Sequence, residues 1–302
     1  MERNNIYNMD CITGLAQHVK TESVDLLIAD PPYYKPKHDP LTYPWNTEED
    51  YLEWSRLWIT EASRVLRPGG TFYLFGQFRQ LCRLLPILED ADLELRQQIV
   101  LNKGVQAMSG RSSVNFGRFP VVSESIFMLR KDAKPFVKRF LREKQAEMGY
   151  SAKFLNDELG VKSNGGGMWS MYTGDKVRNQ VPTEEVWSRL QQILNFDMPY
   201  SRLLQTFHVQ PGVTVVWDDI SYSANEGKDK GSSKQKPLKL LSRLILASSN
   251  EGDLVLDPFM GSGATPLACA DTDRAYIGFE IDEKYYNQAV DQLTYTQTRL
   301  PF

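Results

Sequence analysis

Cysteine and histidine are scarce in this 302-residue chain, with three of each. Cys11, Cys82 and Cys269 are far apart and form no Cys-x-x-Cys pair, which speaks against a disulfide framework and against a thiolate zinc site. With so few imidazoles as well, no metal centre is expected. Long apolar runs are missing too: none approaches the roughly 20 residues that span a bilayer. The opening stretch "MERNNIYNMD" has no apolar centre of the signal-peptide kind, so a cytoplasmic chain without membrane contact is expected. An excess of positive charge is also absent. Lys and Arg number 35 against 38 Asp and Glu, a net charge of -3, which read over the whole chain argues against a nucleic-acid partner.

Read locally, the charge changes sign. Residues 130–144, "RKDAKPFVKRFLREK", hold seven basic side chains against two acids, and residues 228–243, "KDKGSSKQKPLKLLSR", hold six against one. One such cluster is an ordinary solvated helix face. Two of them flanking the same central region read as a footprint for phosphates. The 41% hydrophobic and 24% charged content is that of a globular protein, long enough for one large α/β domain with an insertion or for two modest domains.

Apolar spacing gives an alternation of strand and helix at both ends of the chain. Strands are expected at 6–9, 24–29, 71–75, 96–101 and 123–129, and helices over 12–19 and from Thr47. Thr47 is placed to cap that helix, with Asp50 in its first turn, and Pro68-Gly69-Gly70 to stop it. The alternation breaks between 132 and 230, where helical stretches at 134–148, 151–159 and 183–194 surround the glycine-rich "KSNGGGMWSMYTGDK". It resumes with a helix at 236–249, strands at 254–256 and 275–281, and a closing helix from Glu283. The expected organisation is a sheet built from both ends, residues 1–131 and 231–302, with 132–230 inserted as a mainly helical unit.

Two constellations carry chemistry. In "LVLDPFMGSGAT" a buried strand runs through Asp257 and Pro258 into Phe259, Gly261, Ser262 and Gly263, and then into a helix. Glycines serve where the backbone takes positive φ or must approach a ligand closely, and the helix N-terminus favours a negative group. Near the end of the next strand, "AYIGFEID" places Glu280 where a carboxylate can accept hydrogen bonds from ribose hydroxyls. Gly261-Ser262-Gly263 lacks the third glycine of Gly-x-Gly-x-x-Gly, which disfavours a dinucleotide-dependent oxidoreductase. At the other end, "VDLLIADPPYYKP" sets Asp30, Pro31, Pro32 and Tyr33 directly after a buried strand, at the edge where open α/β sheets bind ligands. A carboxylate, a carbonyl on a rigid Pro-Pro backbone and an aromatic ring together suit a flat molecule bearing an amino group.

Asp30-Pro31-Pro32-Tyr33 early, "KPLKLLSRLILASS", "LVLDPFMGSGAT" and "YIGFEID" late, and a dissimilar stretch between them closely resemble the amino-group DNA methyltransferases of the beta arrangement. The resemblance covers roughly residues 4–130 and 232–295. It implies a doubly wound, mostly parallel seven-stranded sheet of Rossmann-like kind in circularly permuted order, with target recognition in the insert. That order explains a cofactor turn so late in the chain.

The resemblance implies S-adenosylmethionine as cofactor, held by the Asp257-Pro258-Phe259-Met260-Gly261-Ser262-Gly263 turn and by Glu280 at its ribose. Asp10 corresponds to the acid near the cofactor's adenine, Lys236 to the lysine of a His-Pro-x-x-Lys-Pro motif, and Asp30 to the acid between cofactor and target. Ser232 and Ser233 stand where that motif has His-Pro, so Lys236 is equally readable as a solvated residue at a helix start.

The implied reaction is methyl transfer to the N6 amine of adenine in duplex DNA by base flipping, with Asp30, Pro31, Pro32 and Tyr33 as the catalytic segment. Asp at position 30 suggests adenine, because cytosine-N4 enzymes of this kind more often carry Ser there. A cytosine-N4 or RNA methyltransferase, or a silent DNA-binding subunit, are the alternatives, and a homodimer is left open. Candidate DNA contacts are Arg111 and Arg118 in a polar loop, Lys138 and Arg139 in the first basic cluster, and Lys162, Lys176 and Arg178 in the insert. Tyr43 and Trp45 in "LTYPWNT" are candidate walls of the base pocket, with core packing the favoured reading of Trp45.

Overall fold

The computed structural model describes residues 1–34, 45–104, 119, 121–160, 167–174, 180–220 and 235–297. Among them the strands are β1 (Asn5–Asn8), β2 (Val24–Ala29), β3 (Leu66–Gly76), β4 (Leu93–Asn102), β5 (Ser123–Lys131), β6 (Val216–Trp217), β7 (Leu254–Asp257) and β8 (Ala275–Glu280). They form one sheet in the order β1-β8-β7-β2-β3-β5-β4-β6. Neighbours from β1 to β3 are parallel, and β5 runs antiparallel to both β3 and β4. The sheet therefore has eight strands where seven were expected. The eighth, β6, is a two-residue pairing with the edge of β4, too short to leave a periodic signal, and it comes from the stretch assigned to the insert.

Every residue of β2 is buried, as a strand covered on both faces requires, and its one charged residue, Asp25, is paired with Arg67. Its side chains alternate between the two layers. Leu27 joins a core built on α1 (Cys11–His18), α2 (Glu48–Val65) and α3 (Phe78–Asp90), with Leu15, Trp58 and Leu84 among its members. Leu26 and Ile28 face the opposite layer, formed under α8 (Leu238–Ser248), α9 (Ala264–Ala270) and α10 (Glu283–Gln297) around Leu244, Ala268 and Ala289. The helices α4 (Lys134–Met148), α5 (Ala152–Glu158), α6 (Met168–Thr173) and α7 (Glu184–Leu194) share a third core around Val137, Leu155, Trp169 and Trp187.

Local signals set most of the boundaries. Thr47 Oγ1 accepts from the Asp50 amide while the Asp50 carboxylate accepts from the Thr47 amide, a reciprocal cap at the start of α2. Pro68-Gly69-Gly70 does not stop that helix as expected. The helix ends at Val65, and the three residues bulge within β3, where the register with β2 jumps from Val24 opposite Leu66 to Leu26 opposite Thr71. Gly69 has φ of +73°, and a Cβ there would lie 2.6 Å from the Leu203 carbonyl, so the segment after α7 runs directly over the bulge. No helix among the described residues is long and apolar enough to cross a membrane.

Candidate active site

β2 and β7 are hydrogen-bonded neighbours, with Leu27 opposite Leu256. Asp30 and the Asp257–Gly263 turn therefore leave the carboxyl edge of the sheet side by side, although more than two hundred residues separate them in the chain. A cavity of about 600 Å³ opens there, and both constellations line it. The volume is in the range that nucleoside-sized ligands occupy.

On the β2 side the ionisable groups form a cluster. The Tyr33 hydroxyl lies 2.7 Å from Asp30 Oδ1 and 2.9 Å from Glu124 Oε1. Lys236 Nζ lies 3.1 Å from Asp30 Oδ2 and 2.7 Å from Glu124 Oε1, and sits 4.6 Å above the Phe75 ring. Lys103 reaches the other Glu124 oxygen at 2.9 Å. Burial alone would raise the Glu124 carboxyl, but the Lys236 and Lys103 ammoniums outweigh it and hold the group down at about 2. Burial would lower the Lys236 ammonium, and here Asp30 and Glu124 outweigh it, so it stays charged. Burial, reinforced by the two carboxylates, pushes the Tyr33 phenol far above its ordinary range, so it remains a donor. The serines at 232 and 233 lie outside the described residues, yet Lys236 is bound into the cluster and is not a solvated residue at a helix start.

The β7 side is organised for a neutral or positively charged occupant. Glu280 accepts from the Gly261 amide at 3.0 Å and from the Asp282 amide at 2.8 Å, which fixes its carboxylate at the end of β8. Gly261 has φ of +56°, and a Cβ on it would meet no atom within 4 Å, so the turn leaves an open face toward the cavity that it lines. Gly263 is tight for a different reason: with φ of +91°, its added Cβ would lie 2.8 Å from Ala289 on α10. Asp10 caps α1 by accepting from the Thr13 amide at 3.0 Å, and it also lines the cavity. The carboxylates, the glycine face and the aromatic edges of Phe259 and Trp54 make a donor set that fits a nucleoside carrying a cationic centre.

Asp257 is buried and accepts from the Phe259 amide at 2.9 Å and from the Thr265 hydroxyl at 2.5 Å. Burial drives its carboxyl up to about 7, with Asp30 and Glu280 adding to the effect against those two hydrogen bonds. A carboxyl that holds its proton more tightly when folded contributes stability below its unfolded value, and loses it as pH rises through the folded one. Asp257→Asn stays neutral throughout. Its melting temperature relative to the native chain should therefore rise between about pH 4 and pH 7 and level off above that. A pH-independent difference in thermal melts would show that Asp257 does not titrate there.

The structure thus gathers Asp10, Asp30, Pro32, Lys236, Glu280 and the glycine turn at one cavity. Tyr33 stands beside it with its hydroxyl turned into the carboxylate cluster. Trp45 is buried in the core against Tyr51 and Trp54 and also touches the cavity edge. Lys138 and Arg139 lie on α4, away from the cavity, and Arg139 pairs with Glu22 at 2.5 Å. Tyr43, Arg111, Arg118, Lys162, Lys176 and Arg178 lie outside the described residues. Glu124 and Lys103 were not expected. A carboxylate in "SESIFML" looks solvated, and only the pairing of β5 beside β3 brings it to Lys236.

Comparison with known proteins agrees with this geometry. The family described as DNA methylase matches residues 24–291. Type II methyltransferase M.HinfI of Haemophilus influenzae is 27% identical over 307 residues, spanning 96% of this chain and 68% of that protein. DNA adenine methyltransferase YhdJ of Escherichia coli (strain K12) is 28% identical over 296 residues, spanning 97% and 83%. Two solved structures share the fold. TTHA0409 of Thermus thermophilus, complexed with S-adenosylmethionine, superposes with a TM-score of 0.58 at 19% identity, over 98% of this chain and 95% of that one. The cytosine-N4-specific PvuII DNA methyltransferase superposes with a TM-score of 0.57 at 15% identity, over 99% and 93%.

Proposed function

The chain belongs to the DNA methylase family, whose members methylate N6 of adenine or N4 of cytosine from S-adenosylmethionine, and from that premise we propose that its target is the N6 amine of adenine in duplex DNA. The observation that carries the proposal is the Asp30 carboxylate, with the Pro31 backbone beside it, at the mouth of a cavity shared with the glycine turn. An exocyclic amine is a poor nucleophile because its lone pair is delocalised into the ring. Asp30 and the Pro31 carbonyl accept its two N–H bonds and favour a tetrahedral nitrogen, which restores the lone pair. S-adenosylmethionine supplies a methyl group already activated by its sulfonium charge. The remaining demand is on positioning and electrostatics, which the rigid Asp-Pro-Pro segment and the charged cluster meet.

On this reading Glu280 holds the ribose, Asp10 lies at the adenine end, and Phe259, Gly261, Ser262 and Gly263 carry the methionine and ribose portions. The Tyr33 ring, tethered by its hydroxyl, supports the flipped base. Residues 132–230 carry target recognition, with α4 to α7 as their packed part. Adenine is supported over cytosine by Asp at position 30 and by likeness along nearly the whole chain to a protein named as an adenine methyltransferase. The cytosine-specific neighbour shares the fold alone. The test is transfer of labelled methyl to unmethylated duplex DNA followed by digestion to nucleosides. N6-methyladenine is the expected product; N4-methylcytosine would overturn the base assignment, and transfer only to RNA would overturn the substrate class.

A further inference from the structure

We propose that Glu124 is a positioning residue for Asp30: it takes over the Tyr33 hydroxyl and the Lys236 ammonium as the target amine arrives, which frees an Asp30 oxygen to accept the amine proton. The inference rests on the reading of Asp30 as the acceptor of that amine. With no amine present, both Asp30 oxygens are engaged, Oδ1 by the Tyr33 hydroxyl at 2.7 Å and Oδ2 by Lys236 at 3.1 Å. Each oxygen keeps a second lone pair, but a carboxylate already bound to a phenol and an ammonium is a weaker acceptor for an amine. Each of those donors also reaches Glu124 Oε1, at 2.9 Å and 2.7 Å.

A phenol has one proton and donates it to one carboxylate at a time. The Tyr33 hydroxyl can therefore leave Asp30 without being stranded, by turning its proton to Glu124. Lys236 is already closer to Glu124 than to Asp30 and needs little movement. The second Glu124 oxygen is anchored by Lys103 at 2.9 Å, so the fallback acceptor stays in place while its partners switch. The exchange only redistributes hydrogen bonds between Asp30 and Glu124, so it moves no net charge through the buried cluster. Without such a fallback, the incoming amine would compete for Asp30 with a buried hydroxyl and an ammonium that had no second carboxylate to turn to.

The experiment compares native chain, Glu124→Gln, Glu124→Asp, Tyr33→Phe and the double variant Glu124→Gln/Tyr33→Phe on the same duplex DNA, with S-adenosylmethionine binding and thermal melts measured alongside. Gln keeps the shape but not the charge, so both donors shift to Asp30. Expected is a fall in kcat of roughly 10- to 100-fold, with S-adenosylmethionine affinity held within about threefold. Glu124→Asp keeps the charge and should recover part of that loss. In the Tyr33→Phe background, where no hydroxyl remains to be drawn away, the loss from Glu124→Gln should shrink at least about threefold. A kcat for Glu124→Gln within twofold of native, a loss undiminished in the Tyr33→Phe background, or a parallel fall in cofactor affinity would each overturn the proposal. If Glu124→Gln does not fold, Glu124→Asp against Tyr33→Phe applies the same test. A native chain that methylates no DNA removes the underlying reading, and the inference with it; an active native chain that loses transfer on Asp30→Ala but not on Glu124→Gln removes only the inference.

Discussion

Asp30→Ala lowers kcat for methyl transfer by at least about 10³-fold, while S-adenosylmethionine binding changes far less. The asymmetry follows from where the carboxylate stands. Asp30 follows the last residue of β2, with one oxygen toward Tyr33 and the other toward Lys236, whereas Glu280, Gly261 and Asp10 surround the other end of the cavity. Removing Asp30 therefore takes away the group that accepts the amine proton and leaves the glycine turn and the Glu280 hydrogen bonds untouched. It also leaves Lys236 with Glu124 as its remaining carboxylate partner, so the cavity becomes more positive just where a sulfonium and an amine must meet. Both consequences oppose the transition state. A residual rate within tenfold of native, measured in single turnover with saturating cofactor, would mean that another group accepts the amine proton.

The parts of this site that were legible in the sequence are those in which one short segment does the whole job. Val24–Ala29, apolar but for Asp25, suits a doubly covered strand, and the residue after it is then expected at the ligand-binding edge. Gly261 and Gly263 take φ of +56° and +91°, which a run of small residues after a strand already implies. What stayed hidden depends on pairing between distant segments. Glu124 sits 94 residues after Asp30 and 112 before Lys236, and no local pattern distinguishes it from Glu94, which is solvent-facing and paired with Arg96 and Arg130. Helix α3 was missed although its pattern was there to read: Leu81, Leu84, Ile87 and Leu88 recur at helical spacing and all reach the core, with Pro86 tolerated inside the helix. The Pro-Gly-Gly bulge was misread because a helix stop and a bulge use the same residues; the choice is made by the segment at 203–204 that lies against it.

Arg67→Met destabilises the chain by about 3–5 kcal/mol, the largest structural effect expected of any single substitution here. Arg67 is 4% exposed and precedes the bulge. Its Nε donates to Asp25 Oδ1 at 2.8 Å, its Nη1 to the carbonyls of Pro68, Arg202 and Leu204, and its Nη2 to the Thr206 hydroxyl. Asp25 in turn accepts from the Leu254 amide at 2.9 Å, so this one guanidinium ties together β2, β3, β7 and the segment that follows α7. Methionine fills similar volume but leaves the buried Asp25 charge unpaired and takes the guanidinium donor from Asp25 Oδ1 and several carbonyls. Adding Asp25→Asn removes the orphaned charge, so Arg67→Met/Asp25→Asn should recover at least about 1 kcal/mol relative to the sum of the single variants in urea unfolding. Strict additivity would mean that the pair contributes nothing as a pair. The same strand separates this effect from catalysis. Asp25 lies at the amino end of β2 and Asp30 just past its carboxyl end, about 17 Å apart along an extended chain. Arg67→Met should therefore keep a near-native kcat at temperatures well below its melting point, whereas Asp30→Ala should keep a near-native melting point and lose its kcat; a kcat that fell with Arg67→Met while the fold held would place Arg67 in the machinery of the site.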